Sequence, residues 1–138
     1  MTGRLILLAG ATTAAAAATA LRLFDPAASL LFPPCPLYYF TGLYCPGCGS
    51  LRAFHQLLQG NLWAAFAMNP LAMVALPFVL YGSASYARFQ LQGRFLPRWF
   101  IPPGWIWTLG AVIVLYGVAR NLPFYPFSLL APGGMLRL

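Results

Sequence analysis

The stretch "NPLAMVALPFVLYGSASYARF", residues 69–89, has the composition of one long apolar helix. Asn69 is of a type that caps helices, and Pro70 suits the first helical position, where its missing N–H is no loss. We therefore predict a helix over about 70–88, kinked at Pro77 because proline removes one backbone hydrogen bond. At about 1.5 Å per residue, such a helix covers most of the roughly 30 Å hydrocarbon core of a bilayer.

Two further apolar runs predict two more membrane spans. The first covers about 5–24, and the second, "PPGWIWTLGAVIVLYGVAR", covers about 103–120. Trp105, Trp107 and Tyr116 flank the later run in the manner of an interfacial aromatic belt. The chain is thus predicted to be a single domain, 1–138, of three transmembrane helices.

The first run has an alternative interpretation as a cleaved signal peptide. Arg4 precedes the apolar stretch, and small residues near Ala18 are suited to processing. The run is long for the apolar region of a signal peptide and is followed by more spans, so we expect a retained helix.

The composition agrees with a membrane environment. Of the 138 residues, 61% are hydrophobic and 7% charged, against about a quarter charged in soluble proteins. The formal net charge of +7 raises the idea of nucleic-acid binding. The arginines, however, stand singly at the ends of apolar runs, where such side chains reach lipid headgroups. These are Arg4, Arg22, Arg88 and Arg120. We expect the lipid bilayer as partner, and no nucleic acid.

Membrane orientation depends on one short loop. Three spans place the two termini on opposite sides, and the arginines divide equally between those sides. Arg88, Arg94 and Arg98 nevertheless crowd the loop before the third span, which favours a cytoplasmic N terminus. The segment between the first two spans would then lie outside the cytoplasm.

That segment holds a C-x-x-C pattern, Cys45 and Cys48, followed by helical periodicity. We predict an amphipathic interfacial helix over about 46–59, with Pro46 in its first position and the cysteine pair at its N terminus. Cys48 would lie in the first turn, where the helix dipole and Arg52 favour a thiolate. The proline-rich residues before Tyr44 and the tail after Arg120 are predicted to be irregular.

Three interpretations of the cysteines remain open. Cys45 and Cys48 can form a redox dithiol modulated by Arg52 and His55. Alternatively Cys35, Cys45 and Cys48 can bind a metal ion, whereas His55 would lie about 10 Å along the helix from Cys48, too far to share an ion. In the third interpretation the cysteines are structural, either buried or paired in a disulfide.

The sequence "CPGCGSLRAFHQLLQGNLWAAFAMNP" from Cys45 resembles the bacterial membrane family known as domain of unknown function 2752. The family signature is C-P-x-C-G-x-x-R-A, then G-[DN], then N-P. "RNLPFYPF" from Arg120 is similar to the closing stretch of the family, so the resemblance covers about 33–130. The matching positions of the signature are Cys45, Pro46, Cys48, Gly49, Arg52, Ala53, Gly60, Asn61, Asn69 and Pro70. The resemblance implies a small integral protein of the bacterial plasma membrane and brings no established reaction.

The chain offers little for catalysis. Asp25 is the single acidic residue, so no pair of carboxylates is available for acid–base chemistry. We therefore expect a non-enzymatic accessory or interaction subunit that contacts other membrane proteins, with no evident cofactor. The alternatives are a thiol-redox protein using the Cys-Pro-Gly-Cys dithiol and a metal- or cofactor-binding protein.

Overall fold

The computed structural model of the protein describes residues 2–29, 32–97 and 102–137. These residues form helices and turns and contain no strand, which confirms the all-α class. The α-helices are α1 Thr2–Leu23, α2 Pro36–Thr41, α3 Ser50–Leu58, α4 Leu62–Met68, α5 Pro70–Gln92 and α6 Gly104–Ala119. Two 3₁₀ helices follow, Phe127–Leu130 and Gly134–Arg137.

Two helices are long and apolar enough to cross a membrane, as predicted. They are α1, over Gly3–Leu23, and α5, over Pro70–Gln92, and their apolar residues are not buried against the rest of the described chain. The third predicted span, 103–120, is found as the apolar helix α6 with 16 residues. At about 1.5 Å per residue this is roughly 24 Å, less than a bilayer core, so the third span is not confirmed.

The start of α5 follows the predicted capping. The Asn69 Oδ1 accepts a hydrogen bond of 3.1 Å from the Ala72 N–H, and Pro70 occupies the first helical position. The helix continues through Pro77 and ends at Gln92, four residues later than predicted. Gly93 follows with a φ of 69°, the left-handed conformation that stops a helix. The kink at Pro77 stays a prediction.

Helices α1 and α5 lie side by side in opposite directions. A side chain at Gly3, near the start of α1, would meet the Gln90 amide near the end of α5. The loop after α5 therefore lies at the same end of the pair as the N terminus, and the cysteine segment at the other. Arg4, Arg22 and Arg88 are exposed as predicted, while Arg98 lies outside the described residues.

The cysteine segment differs from its prediction. The interfacial helix begins at Ser50 rather than about 46, so Cys45 and Cys48 lie in a turn before the helix and not at its N terminus. Gly49 precedes the helix with a φ of 85°, a left-handed conformation that cannot continue the helix backwards. Helix α2 also forms where an irregular loop was expected, and helix α4 was not predicted at all.

The short helices pack beneath the cysteine turn and join the two long ones. Ala53 of α3 and Ala65 and Ala67 of α4 are buried. The tail, predicted to be irregular, forms its 3₁₀ helices against α4, where the Gly133 N–H donates to the Ala67 carbonyl over 3.1 Å. Small side chains at this contact let the backbones approach closely enough for such a bond.

Replacement of Gly49 by alanine should destabilise the protein more than the same change at Gly60. Both residues have a φ of 85°, but a Cβ at Gly49 would lie 2.7 Å from the Met68 carbonyl oxygen, whereas Gly60 has open space. We expect Gly60→Ala to cost about 1–2 kcal/mol of unfolding free energy, the penalty of left-handed backbone. Gly49→Ala should cost about 3 kcal/mol, because the α3–α4 connection must also shift.

The comparison is made by unfolding the two detergent-purified variants under identical conditions, with helix content followed by circular dichroism. Equal losses of stability would contradict the close approach of Gly49 to the end of α4.

Candidate functional site

Three cysteine sulfurs lie together at the end of the molecule opposite the N terminus. The Cys35 Sγ is 3.4 Å from the Cys45 Sγ, which is 3.2 Å from the Cys48 Sγ, and all three lie within 4.8 Å of one another. All three are free thiols. Cys48 is buried and the other two are half-buried.

The Cys45–Cys48 turn presents two of these sulfurs on one side. The Cys48 N–H donates to the Cys45 carbonyl over 3.0 Å, and the Cys45 N–H donates to the Cys48 Sγ over 3.3 Å. A Cβ added at Gly47, in the middle of the turn, would meet only the Cys45 sulfur, at the ordinary contact distance of 3.8 Å. The turn thus fixes Cys45 and Cys48 before α3 begins.

Cys35 reaches the same place from a separate segment. It immediately precedes α2, which starts at Pro36 and ends at Gly42 in the left-handed conformation. The chain then returns to the turn, and the rings of Tyr38 and Tyr44 stack with centroids 4.8 Å apart. This stacking holds α2 beside the turn. The sequence analysis included Cys35 in the metal and structural interpretations but not in the redox dithiol, and its position beside the turn depends on α2, which was not predicted.

The side-chain amide of Asn69 holds the backbone of the Cys45–Cys48 turn. This residue is 1% exposed, and its Nδ2 lies 3.0 Å from the Pro46 carbonyl oxygen and 3.3 Å from the Cys48 carbonyl oxygen. Its Oδ1 accepts from the Tyr116 hydroxyl of α6 over 3.1 Å as well as from the start of α5. One amide therefore joins α5, α6 and the backbone of the cysteine turn.

Two residues after α6 complete the support. Arg120, 1% exposed, donates through Nη1 to the carbonyl oxygens of Cys45 and Pro46 over 2.9 and 3.2 Å. Asn121 accepts from the Tyr44 N–H over 2.7 Å and donates to the Tyr44 carbonyl over 2.9 Å. The prediction that Arg120 extends to lipid headgroups is therefore wrong, because its side chain turns inward and donates to the backbone carbonyls of the turn.

The thiols of Cys35 and Cys48 differ in acidity. A backbone hydrogen bond at Tyr38, opposed in part by burial, lowers the pKa of Cys35 to about 7. Burial, together with the neighbouring sulfurs of Cys45 and Cys35, raises the pKa of Cys48 to about 12. The predicted favouring of a Cys48 thiolate by the helix dipole is therefore wrong, since Cys48 lies before the helix and is desolvated.

The side chains of Arg52 and His55 lie in different places in the structure. Arg52 is exposed and lines the same cleft as the cysteines. The His55 Nδ1 instead bonds to the Leu21 carbonyl oxygen, and the neighbouring Gln59 donates to the Arg22 carbonyl over 2.9 Å. His55 thus binds the backbone at the end of α1. Among the described residues, the group that could hold a metal ion consists of the three cysteines.

An open cleft of about 720 Å³ leads to the sulfurs. It is lined by residues 26–29 and 32–35, by the cysteine turn, by Arg52 and by Pro132 of the tail. A cleft of this size admits a small molecule or a peptide segment.

The geometry suits a thiophilic metal ion. Zn–S bonds of about 2.3 Å in a tetrahedron place sulfurs roughly 3.8 Å apart, within the range found among these three. Small adjustments of side-chain torsions would bring all three to one ion. Three sulfurs supply three of the four ligands of a tetrahedral zinc site, and in sites with three protein ligands the fourth position is taken by water or substrate.

A family model described as "Protein of unknown function (DUF2752)" matches residues 35–82. This segment includes all three cysteines, Arg52 and Asn69, and the match confirms the resemblance drawn from the sequence. The likeness at "RNLPFYPF" from Arg120 lies outside the matched residues and stays a prediction. No curated protein and no solved structure matches this chain.

In the metal-free, reduced protein, Cys35 should be alkylated first and Cys48 last. With a pKa of about 7, Cys35 is about nine-tenths thiolate at pH 8, whereas a pKa of about 12 leaves Cys48 almost wholly protonated. Iodoacetamide labelling of the detergent-purified protein, resolved by peptide mass, measures the order. The Cys35 rate should rise with a midpoint near pH 7, and faster labelling of Cys48 would contradict this assignment.

Proposed function

From a chain whose cysteine segment matches the DUF2752 family, we propose a three-span integral protein of the bacterial plasma membrane that binds one thiophilic metal ion. Helices α1, α5 and α6 would be the spans, and Cys35, Cys45 and Cys48 the ligands. The proposal rests on one observation, the approach of all three sulfurs to within 4.8 Å.

Several features of the cluster favour binding of a metal ion over a redox dithiol or a purely structural role. A dithiol needs two cysteines, whereas here a third is delivered from a separate segment by its own short helix. Thiolate ligands select soft ions such as Zn²⁺ or Cu⁺ over Mg²⁺ or Ca²⁺. The hydrogen bonds from Asn69, Arg120 and Asn121 fix the ligand backbone before an ion arrives, as outer-shell groups of metal sites do.

We assign this protein a non-enzymatic, accessory role within a membrane complex. The chain has a single acidic residue and no carboxylate pair, and its one histidine, His55, is bonded to the backbone at the end of α1. The exposed apolar faces of α1, α5 and α6 suit contact with lipid and with the spans of other membrane proteins. The cleft over the cysteines would let a partner deliver or remove the ion.

Purified in detergent after expression with zinc, the wild-type protein should contain about one metal ion per chain. Replacement of any one of the three cysteines by serine should lower the metal content at least tenfold, because a thiolate ligand is lost. The measurement is elemental analysis after gel filtration. His55→Gln is the matched control, since His55 binds the end of α1 and should leave metal content unchanged. Metal-free wild-type protein after zinc exposure would refute the proposal.

A second candidate function, thiol–disulfide exchange, is favoured by the unequal acidity of the thiols. Cys35, with its pKa near 7, has the acidity of an attacking thiol, and its sulfur lies 3.4 Å from that of Cys45. Attack on a partner disulfide would form a mixed disulfide, which Cys45 or Cys48 would then resolve. The protein would end with one disulfide, having passed two electrons to the partner, which leaves as a dithiol.

Redox chemistry predicts a reversible mass change of two hydrogens, about 2 Da, between the protein equilibrated with oxidised and with reduced glutathione. Cys45→Ser should abolish this change most completely, because Cys45 is the closest neighbour of both other sulfurs. Intact-mass measurement with quenched alkylation detects it. Metal binding without any such disulfide would exclude this candidate.

A further inference from the structure

Arg120 is a buried cation with incomplete pairing. Its side chain is 1% exposed, and although Nη1 donates to two carbonyls, Nε and Nη2 have no hydrogen-bond partner among the described residues. Burial of a charge is costly unless the charge is paired and hydrogen-bonded. A guanidinium cannot lose its proton to escape this cost. The position therefore calls for a nearby negative charge.

The side chains of the protein itself do not supply a carboxylate there. Asp25 is the single side-chain acid of the chain, and it is exposed, with its Oδ1 accepting from the Ala27 N–H over 2.8 Å. The rings of Tyr44 and Tyr116 lie 5.8 and 5.1 Å from the guanidinium carbon. Such cation–π contacts stabilise a cation less than desolvation of the charge destabilises it.

The cysteine cluster can supply the charge. Arg120 bonds to the carbonyl of Cys45, whose sulfur is the central member of the three. Cysteines bind metal as thiolates, so three of them around a divalent ion carry one net negative charge. Three thiolates around a monovalent ion carry two net negative charges.

We infer that Arg120 is the charge-balancing and positioning residue of the three-cysteine site, and that its cation favours thiophilic ions whose complex with three thiolates is anionic. This inference rests on the proposed metal-binding function. Through Nη1 the residue fixes the carbonyls of Cys45 and Pro46, and through its charge it stabilises the loaded cluster in a desolvated place. Arg52, exposed on the cleft, is screened by solvent and contributes little to either effect.

Two substitutions separate charge from position. Arg120→Gln retains hydrogen-bond donors and removes the charge, whereas Arg120→Lys retains the charge and loses the planar fork. Arg52→Gln is the matched control for charge. Each full-length variant is purified in detergent, and its affinities for Zn²⁺ and for Ag⁺ are measured by chelator competition. Thermal unfolding of each variant with and without each ion is a second readout that also reports folding.

We expect Arg120→Gln to weaken Zn²⁺ binding about tenfold, as loss of an outer-shell partner does. The same substitution should weaken Ag⁺ binding by a larger factor, because the Ag⁺ complex carries the larger negative charge. Arg120→Lys should retain the wild-type ratio of the two affinities, and Arg52→Gln should change neither. Equal losses for both ions in Arg120→Gln, or none, would overturn the inference while leaving metal binding intact. Absence of binding by the wild type would instead refute the proposed function, and the inference with it.

If Arg120→Gln unfolds without metal, the stabilisation by each ion in Arg120→Lys decides the question. A rise in unfolding temperature matching the wild type for both ions supports charge balance. A rise that is reduced more for Ag⁺ than for Zn²⁺, although the lysine retains the charge, overturns the inference.

Discussion

The structure depends on polar side chains that hold the backbone of one turn. Asn69, Arg120 and Asn121 come from the ends of α5 and α6, and together they bind the main chain from Tyr44 to Cys48. An irregular turn placed between apolar helices leaves carbonyls and N–H groups that must be satisfied. These three residues satisfy them, and in doing so they link the long helices to the cysteines.

This constraint explains why the cluster has a defined shape. The turn sets Cys45 and Cys48, and Gly117 of α6 allows Pro46 to approach so closely that a Cβ there would lie 2.9 Å from the proline ring. Cys35 then joins from α2, which is held by the stack of Tyr38 on Tyr44. Since Tyr44 is itself bound by Asn121, all three sulfurs depend on the end of α6. The site is preorganised by elements far apart in sequence.

The sequence alone predicts the features that depend on local composition. The apolar lengths of α1 and α5 and the cap formed by Asn69 and Pro70 follow from hydrophobicity and backbone chemistry, and both are found. The helix start at Ser50 was missed because Gly49 permits both helical and left-handed conformations, and only its packing against Met68 selects the second. Local periodicity carries no such information.

Arg120 was misplaced for a related reason. An arginine that ends an apolar helix ordinarily reaches the headgroups, and nothing within a few residues distinguishes one that turns inward. The distinguishing partners, Cys45 and Pro46, lie 75 and 74 residues away. A usable signal was the pair Arg120 and Asn121, because two adjacent strong hydrogen-bonding side chains at a helix end suggest buried backbone to be satisfied.

The buried arginine also bears on the choice between redox chemistry and metal binding. A disulfide among these cysteines would be neutral and would leave one thiol, so a desolvated guanidinium beside it would lack a lasting counter-charge. Three thiolates around an ion keep a negative charge for as long as the ion is bound. Because a buried charge is stabilised best by a permanent partner, the position of Arg120 favours a resident ion over a thiol pair that loses its negative charge whenever the disulfide forms.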